Sequence, residues 1–577
     1  MTTTTTTRRL MPVLAALLTA GALTTSGSAT SPKFLNDDPV WQELDTQDAS
    51  GLKADEVNLF VDLTYNMIKG AGPARGRAGN LNTIDEVPDS SWYTNRAGTR
   101  TLTPQDITKG PNTTDGPAAG PWTIVSSKSD GVTPGFTVTD TAGRKWFLKF
   151  DPRGYRGMTT GTEVAVTKLM WALGYHVPEN HIAYVRPEDL LVGDTATFTP
   201  KSGRKRSMER GDLDVLLAGV DREANGSFRV VASKALEGKP VGRIRFFGTR
   251  PDDPNDIVPH EDRRELRGYG VFAAWVNHVD AKAINSLDTL VTGNGRSFVR
   301  HHLIDFGSTL GSGGVAPADY WAGTQYLLEP GSTGHRLVGF GLNQPQWVRT
   351  AFYESPSIGR LPQTSAAFDP SQWKPRVPNR AFLQARADDR FWAARKLVAL
   401  RTDLLRAAVA AGDFGDAEAE AFLVKALTER RDAIARAYLT AVNPIADPAL
   451  GRDGTLTFQN AAVEADVARA PESYQASWFR FDNATGQTTA VGETSSRSTT
   501  VDAPAGFAAG LAVDFDFAVD FAMNHPFRRA GVSGPLSQAR RRGQSRRWQC
   551  PKPATTPWQR QDLPPAVRRC SKLWKFY

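Results

Sequence analysis

The chain has 577 residues, several times the roughly 150 of a typical domain, so about three or four structural units are expected. Hydrophobic residues make up 40% and charged residues 23%, proportions of a soluble globular protein that exclude multispan membrane, fibrous and wholly disordered classes. The net charge of +8 is uneven: from Arg528 onward ten Arg and three Lys face only Asp562, which is +12, leaving −4 (56 basic against 60 acidic residues) on the rest. The pI near 9.3 thus reports on one terminal segment and does not make the body a nucleic-acid binder.

Residues 1–29 read as a signal peptide. Arg8 and Arg9 precede an apolar run over 10–23, and Gly27, Ser28 and Ala29 supply small residues for cleavage. Fourteen residues are short for a membrane-spanning helix, so no stable span is expected once the signal is removed. The arginine pair fits a twin-arginine signal or an ordinary secretory one, and either implies an exported protein, periplasmic or extracellular. Only Cys550 and Cys570 are present; an oxidising compartment lets them pair, and two free thiols in a tail is the other reading.

An N-terminal extension over 30–120 opens with helical apolar spacing across 54–69 and continues through a stretch rich in Gly, Pro and Asn. Over 122–150 the period becomes two, which predicts an antiparallel β-meander, and 163–173 then reads as a helix stopped by Gly174. Residues 186–260 mix short strand-like runs with charged loops. Helices are expected over 263–276 and within 387–442, packed as one layer. Two-residue alternation returns over 455–521 and predicts a small β-rich domain, bounded at 450–523. Beyond it, 524–577 reads as a basic, disordered, solvated appendage.

The chemistry concentrates in two places. His278, Asp280, Lys282 and Asn285 follow a helix, and Asp305, Phe306 and Gly307 end a strand-like run. Phosphoryl transfer needs a carboxylate near the attacking hydroxyl, a cation on the phosphates, and Asn and Asp oxygens for magnesium. Upstream, Lys149 ends a strand and Glu163 opens the next helix, a pair able to hold the lysine against phosphates. Gly131 and Gly135 flank a short loop before that strand.

In this order the residues resemble the protein kinase superfamily, closer to its atypical, secreted or toxin-type branch. H-x-D-x-K-x-x-N is matched at His278, Asp280, Lys282 and Asn285, and D-F-G at Asp305, Phe306 and Gly307. The resemblance, spanning about 122–442, implies an α+β, two-lobed fold: a β-rich N-lobe over 121–186 and a helical C-lobe over 187–445 with an insertion at 187–260. It implies an ATP- and Mg2+-dependent phosphotransferase acting on an unknown protein or small-molecule acceptor. In that picture Asp280 is the base or hydroxyl-orienting group and Lys282 a transition-state phosphate contact. Asn285 and Asp305 hold magnesium, Lys149 binds the α and β phosphates, and Glu163 orients Lys149.

Several features depart from the family pattern. The glycine loop is reduced to Gly131 and Gly135, lacking the full G-x-G-x-x-G. Val279 stands where an arginine usually precedes the catalytic aspartate, so switching by loop phosphorylation is not expected. A catalytically inactive kinase-fold module binding nucleotide or envelope is one alternative. A metal-dependent hydrolase using His278, Asp280, His301, His302 and Asp305 is another, although adjacent strand residues face opposite sides. Acidic and proline-rich residues 248–265 fit either a polar wall beside the site or a rigid turn before a helix.

Overall fold

The computed structural model describes residues 44–55, 57–69, 76–82, 84–128, 134–200, 203–328, 346–451, 453–482, 487–505 and 516–524. The expected signal peptide, Gly131, Cys550, Cys570 and the basic tail beyond 524 lie outside them. Among the described residues no helix is long and apolar enough to cross a membrane. The fold is mixed α and β, with one large sheet and several helices.

Helix α1 (Leu59–Lys69) starts later than the apolar spacing predicts, because the Asn58 side chain accepts from the backbone N–H groups of Phe60 and Val61, both at 3.1 Å. Further on, Thr103 and Asp106 form a capping box that starts a second short helix, α2 (Pro104–Lys109). The stretch around α2, rich in Gly, Pro and Asn, is nonetheless tied to the core. Leu81, Val87, Trp92, Tyr93, Leu102 and Ile107 are buried in the main hydrophobic core. The glycines and prolines thus shape a strap whose few large apolar residues are anchors.

The expected meander is present as β1 (Trp122–Ser127), β2 (Gly135–Thr139) and β3 (Lys145–Phe150), joined antiparallel. It is followed by α3 (Met158–Ala172), β4 (Asn180–Val185), β5 (Leu190–Phe198), β6 (Arg206–Ser207), α4 (Arg210–Leu217) and β7 (Phe228–Lys234). One sheet takes all seven strands in the order β4-β7-β3-β2-β1-β5-β6, with β1 and β5 parallel. The lobe boundary expected at residue 187 therefore falls inside the sheet, and the short strand-like runs expected beyond it include β5, β6 and β7. Leu190, Ala196, Phe228, Val230 and Ala232 complete one core with Trp122, Ile124, Val138, Trp146 and Leu148. Charged loops between those strands hid the alternation.

Next come β8 (Lys239–Gly242), α5 (Arg264–Trp275), β9 (Ser286–Gly293), β10 (Arg296–Leu303), β11 (Phe352–Ser355) and β12 (Gly359–Pro362). Four helices follow: α6 (Arg380–Leu383), α7 (Ala387–Val398), α8 (Thr402–Ala411) and α9 (Ala417–Tyr438). Helices α5, α7, α8 and α9 share the main core through Phe272, Trp275, Trp392, Leu404, Leu405, Leu423 and Leu427, the single layer expected from their apolar stripes.

Helix α3 links sheet and helices. It lies against β3, β4 and β7 on one side and α8 on the other, so almost every residue from Met158 to Ala172 is buried. Arg229 on β7 fixes this position, donating to Thr160 Oγ1 at 2.9 Å, Gly412 O at 2.6 Å and Asp413 Oδ2 at 2.9 Å.

At the C-terminal end β13 (Ile445–Leu450), β14 (Thr455–Asn460) and β17 (Thr500–Asp502) form one sheet. A second contains β15 (Ser473–Asp482), β16 (Gln487–Ser496) and β18 (Asp516–Asn524). Leu456, Phe458, Tyr474, Trp478 and Val501 make their own small core. This region is not wholly separate: Ala461 and Ala462, on the short α10 (Ala461–Glu464), belong to the main core.

Candidate functional site

Lys149 lies near the end of β3, and its ammonium reaches two carboxylates from distant parts of the chain, Glu163 Oε2 at 2.8 Å and Asp305 Oδ1 at 2.9 Å. Glu163 is not in the first turn of its helix, as the sequence reading has it. The helix begins five residues earlier, after Gly157 in a left-handed conformation (φ 85°), which puts Glu163 in its second turn. A helix-dipole preference therefore does not account for Glu163.

Its carboxylate is used fully. Besides Lys149, Oε1 accepts from Phe306 N at 3.0 Å and Oε2 from Gly307 N at 2.9 Å, while Asn180 Nδ2 approaches Oε1 at 3.4 Å. One buried anion thus holds the lysine of β3 and the backbone after Asp305 together. Gly307 is required by this packing, because a Cβ there would meet Thr159 Cγ2 at 2.9 Å and Glu163 Oε2 at 3.2 Å.

Asp305 adopts φ 63°, a left-handed conformation that L residues avoid and that surrounding structure must enforce. Its side chain keeps 39% exposure against 1% for Glu163, so Asp305 presents the open oxygens of the cluster. Burial works against ionisation of Asp305, but Lys149, then Lys128 and His278, overcome it and hold the carboxyl down at about 2. For Lys149, burial favours the neutral amine, yet Asp305 and Glu163 keep it charged, its pKa above the usual lysine value.

The second group comes from the loop after α5. Asn285 Nδ2 donates to Asp280 O at 2.8 Å and to Asp280 Oδ2 at 3.0 Å, and Lys282 Nζ lies 2.6 Å from Asp280 Oδ1. The two groups meet through the β9–β10 hairpin. Asn294 and Gly295 at its tip both have positive φ (52° and 77°), the conformation of a two-residue primed turn. From that turn the register runs unbroken from Arg296↔Gly293 to Leu303↔Ser286. The hairpin base therefore brings Asn285, just before β9, beside the backbone before Asp305, and Ile304 N donates to Asn285 O at 3.1 Å.

His278 sits beneath both groups and is fully buried. Its Nδ1 pairs with the Tyr269 hydroxyl at 2.8 Å and its ring packs against Phe306 at 5.5 Å between centroids. Burial holds it neutral, with a pKa near 4 despite Asp280 and Asp305 nearby. It acts as a spacer under the loop.

Gly135, proposed from sequence for a phosphate loop, pairs directly opposite Lys149; a Cβ there would run into the Leu148 carbonyl. Its partner in that reading, Gly131, is outside the described residues. The histidines of the hydrolase reading do not converge. His301 Nδ1 pairs with Asp288 at 2.8 Å and stacks on Trp92, whereas His302 Nδ1 faces Leu287 O at 3.2 Å and its ring meets His176. In residues 248–265 the acids have internal partners: Asp252 with Arg250, Asp253 with Asn255 N, and Asp256 with His260, Arg263 and Arg250 N. This favours the rigid-turn reading over a polar wall.

Sequence reasoning missed Lys128, Asn180 and Tyr269. Asn180 carries no motif, and its signal is spatial, since its amide joins Glu163 to Thr167 Oγ1 at 2.8 Å.

No family model matches the chain. No curated protein matches it either. Among solved structures, the crystal structure of the Golgi casein kinase aligns with 70% of this chain and 95% of its own, at 10% identity and a TM-score of 0.28. At that TM-score the likeness carries no weight, and the functional reading rests on the site itself.

Proposed function

We propose that the chain is an exported, kinase-like phosphotransferase that moves the γ-phosphate of ATP to an acceptor hydroxyl. The observation that carries this reading is the meeting of Lys149, from the sheet, with Glu163 and Asp305, while the hairpin base brings the Asn285 loop alongside. Lys149 is the cation for the phosphates, and Glu163 keeps it extended and in place. Asp280, with one oxygen on Asn285 and the other on Lys282, orients the acceptor hydroxyl and takes its proton as the new P–O bond forms and the bond from the γ-phosphorus to the β–γ bridging oxygen breaks, ADP leaving with that oxygen. Lys282 remains close enough to meet charge developing on the transferred group.

A magnesium ion fits the donor set. Asp305 offers partly exposed carboxylate oxygen, and the Asn285 amide, donating through its nitrogen, keeps its oxygen as an acceptor; both are hard oxygen donors. When bound, the ion supplies charge neutralisation between phosphates.

The test is thermal shift of the mature chain with Mg·ATP, ATP alone and zinc, repeated with Asp305→Ala and Lys149→Ala. A magnesium-dependent ATP shift lost in both variants is expected, and a zinc shift without a nucleotide shift speaks for the hydrolase. Incubation with labelled ATP then separates turnover from binding: transfer to an envelope extract by the wild type and not by Asp280→Ala is expected. Binding without any transfer leaves the inactive nucleotide-binding module as the reading.

A further inference from the structure

Strand β1 does not keep its alternation. Ile124 pairs with Val138, but the next pair is Ser126 with Thr137, so Val125 is an extra residue with no partner on β2. The pairing with β5 is interrupted at the same place. One extra residue inverts the facing of everything beyond it. Ile124 lies in the core with Val138, Trp146 and Leu148; without the bulge Ser126 and Lys128 would face that core too.

With the bulge, Ser127 takes the core side opposite Phe136, and the chain emerges with Lys128 opposite Gly135. Lys128 N donates to Gly135 O at 2.9 Å, and Gly135 in turn pairs with Lys149. Lys128 and Lys149 therefore project from the same face of the sheet with a glycine between them. Lys128 Cδ lies 3.5 Å from where a Cβ on Gly135 would be, so the lysine stem runs over β2 at that glycine.

We propose that Lys128 is a second phosphate-binding cation of this site, working with Lys149 across Gly135 to select a nucleoside polyphosphate. This rests on the phosphotransferase reading and adds to it. Charge is consistent with it: Lys149 faces both Glu163 and Asp305, which leaves those three at −1, so a polyanion needs further positive charge beside them. The electrostatic influence of Lys128 on Asp305 agrees with that orientation. Spacing supports it as well. Two strand separations put the backbones of β1 and β3 about 10 Å apart, which suits two cations gripping successive phosphates better than one phosphate alone.

The experiment measures Mg·ATP, Mg·ADP and AMP binding to the full mature chain as wild type, Lys128→Ala, Lys128→Arg and Lys149→Ala. Circular dichroism of each variant establishes folding. Lys128→Ala is expected to weaken Mg·ATP and Mg·ADP about tenfold, the loss of one charge-assisted contact, with a much smaller effect on AMP, and Lys128→Arg to restore most of the affinity. Lys128→Ala binding Mg·ATP within about twofold of wild type, while Lys149→Ala does not bind, overturns the second cation and leaves the broader reading standing. A wild type that binds no Mg·ATP overturns both.

Discussion

The two halves of the site are built in different ways. Lys149, Glu163 and Asp305 come from a strand, a helix and the residue after a hairpin; Glu163, at 1% exposure, serves a cation and two backbone amides at once. Asp280, Lys282 and Asn285 lie within six residues of one another, in a loop whose Lys282–Asp280 pair is partly exposed. Long-range convergence makes the first half part of the structure, whereas the second borrows its position from the hairpin. Damage to the first is therefore expected to appear as lost folding and binding, and damage to the second as lost chemistry.

The largest effect is expected at Asp280. Asp280→Asn keeps the shape and the contact with Asn285 but removes the proton acceptor, so transfer from ATP falls about 100- to 10,000-fold. The unfolding midpoint stays near wild type and the Mg·ATP thermal shift persists. If transfer survives at the wild-type rate, Asp280 is not the group that orients the hydroxyl, and the division between the halves is misplaced.

Glu163 offers the opposite break. Glu163→Ala leaves the Phe306 and Gly307 amides without their acceptor and Lys149 with one carboxylate instead of two. Removing one member of a buried, hydrogen-bonded ion pair costs about 3–5 kcal/mol, read as a lower denaturant midpoint at constant slope. Glu163→Gln keeps the shape and an oxygen for one of the two amides but loses the charge and sets an NH2 group against the other donor, so its loss is smaller than that of Glu163→Ala only by that one retained bond. Equal losses in the two variants would mean that the charge, and not the grip on the backbone, dominates at Glu163.

Acid tests the buried histidines, of which His278 lies against Phe306 beneath the site. His278 and His302 are held near 4 and His176 near 3, each chiefly by burial. As pH falls below about 6.5 the unfolded chain takes up protons that these folded histidines refuse, so stability drops through the window down to about 4. His260, whose pKa is raised by Asp256 against its burial, works the other way and offsets part of the loss. Asp305 is depressed to about 2, so its contribution is present above its ordinary value near 4 and fades only as pH approaches 2. A thermal melt series from pH 7.5 to 4.5 is expected to show a falling midpoint, flattened in His176→Gln. Unchanged melts across that range contradict neutral burial of the histidines.

Legibility in the sequence follows the same division. His278, Asp280, Lys282 and Asn285 were readable because their spacing is local, and the Asn294-Gly295 tip that aligns them with Asp305 is a short-range turn signal. The meander was readable from its period of two, and the helices of 387–442 from their apolar stripes. The depth of Glu163 was not, since the helix start at Gly157 depends on Asp151, which accepts from Gly157 N at 2.9 Å and from Thr159 N and Thr160 N at 3.0 Å each. Nor was Lys128, because a single bulge at Val125 decides its face. Residues 76–110 fall in the stretch rich in Gly, Pro and Asn, yet Trp92 and Tyr93 are core residues; a few large apolar anchors among many turn formers leave no periodicity to read.

The smallest effect sharpens the comparison most finely. Lys282 and Asp280 pair at 2.6 Å, but the lysine is 36% exposed, so water competes for both charges and the pair adds at most about 1 kcal/mol to stability. Lys282→Ala is therefore expected to leave the unfolding midpoint almost unmoved, and on the proposed reading to slow transfer, since that reading puts its charge at the transferred phosphate. Measured side by side, Glu163→Ala should shift the midpoint strongly and Lys282→Ala should not. A Lys282→Ala chain as destabilised as Glu163→Ala would show that the loop is held by its own ion pair, and the hairpin base would lose its role as the element that sets the Asn285 loop beside the backbone before Asp305.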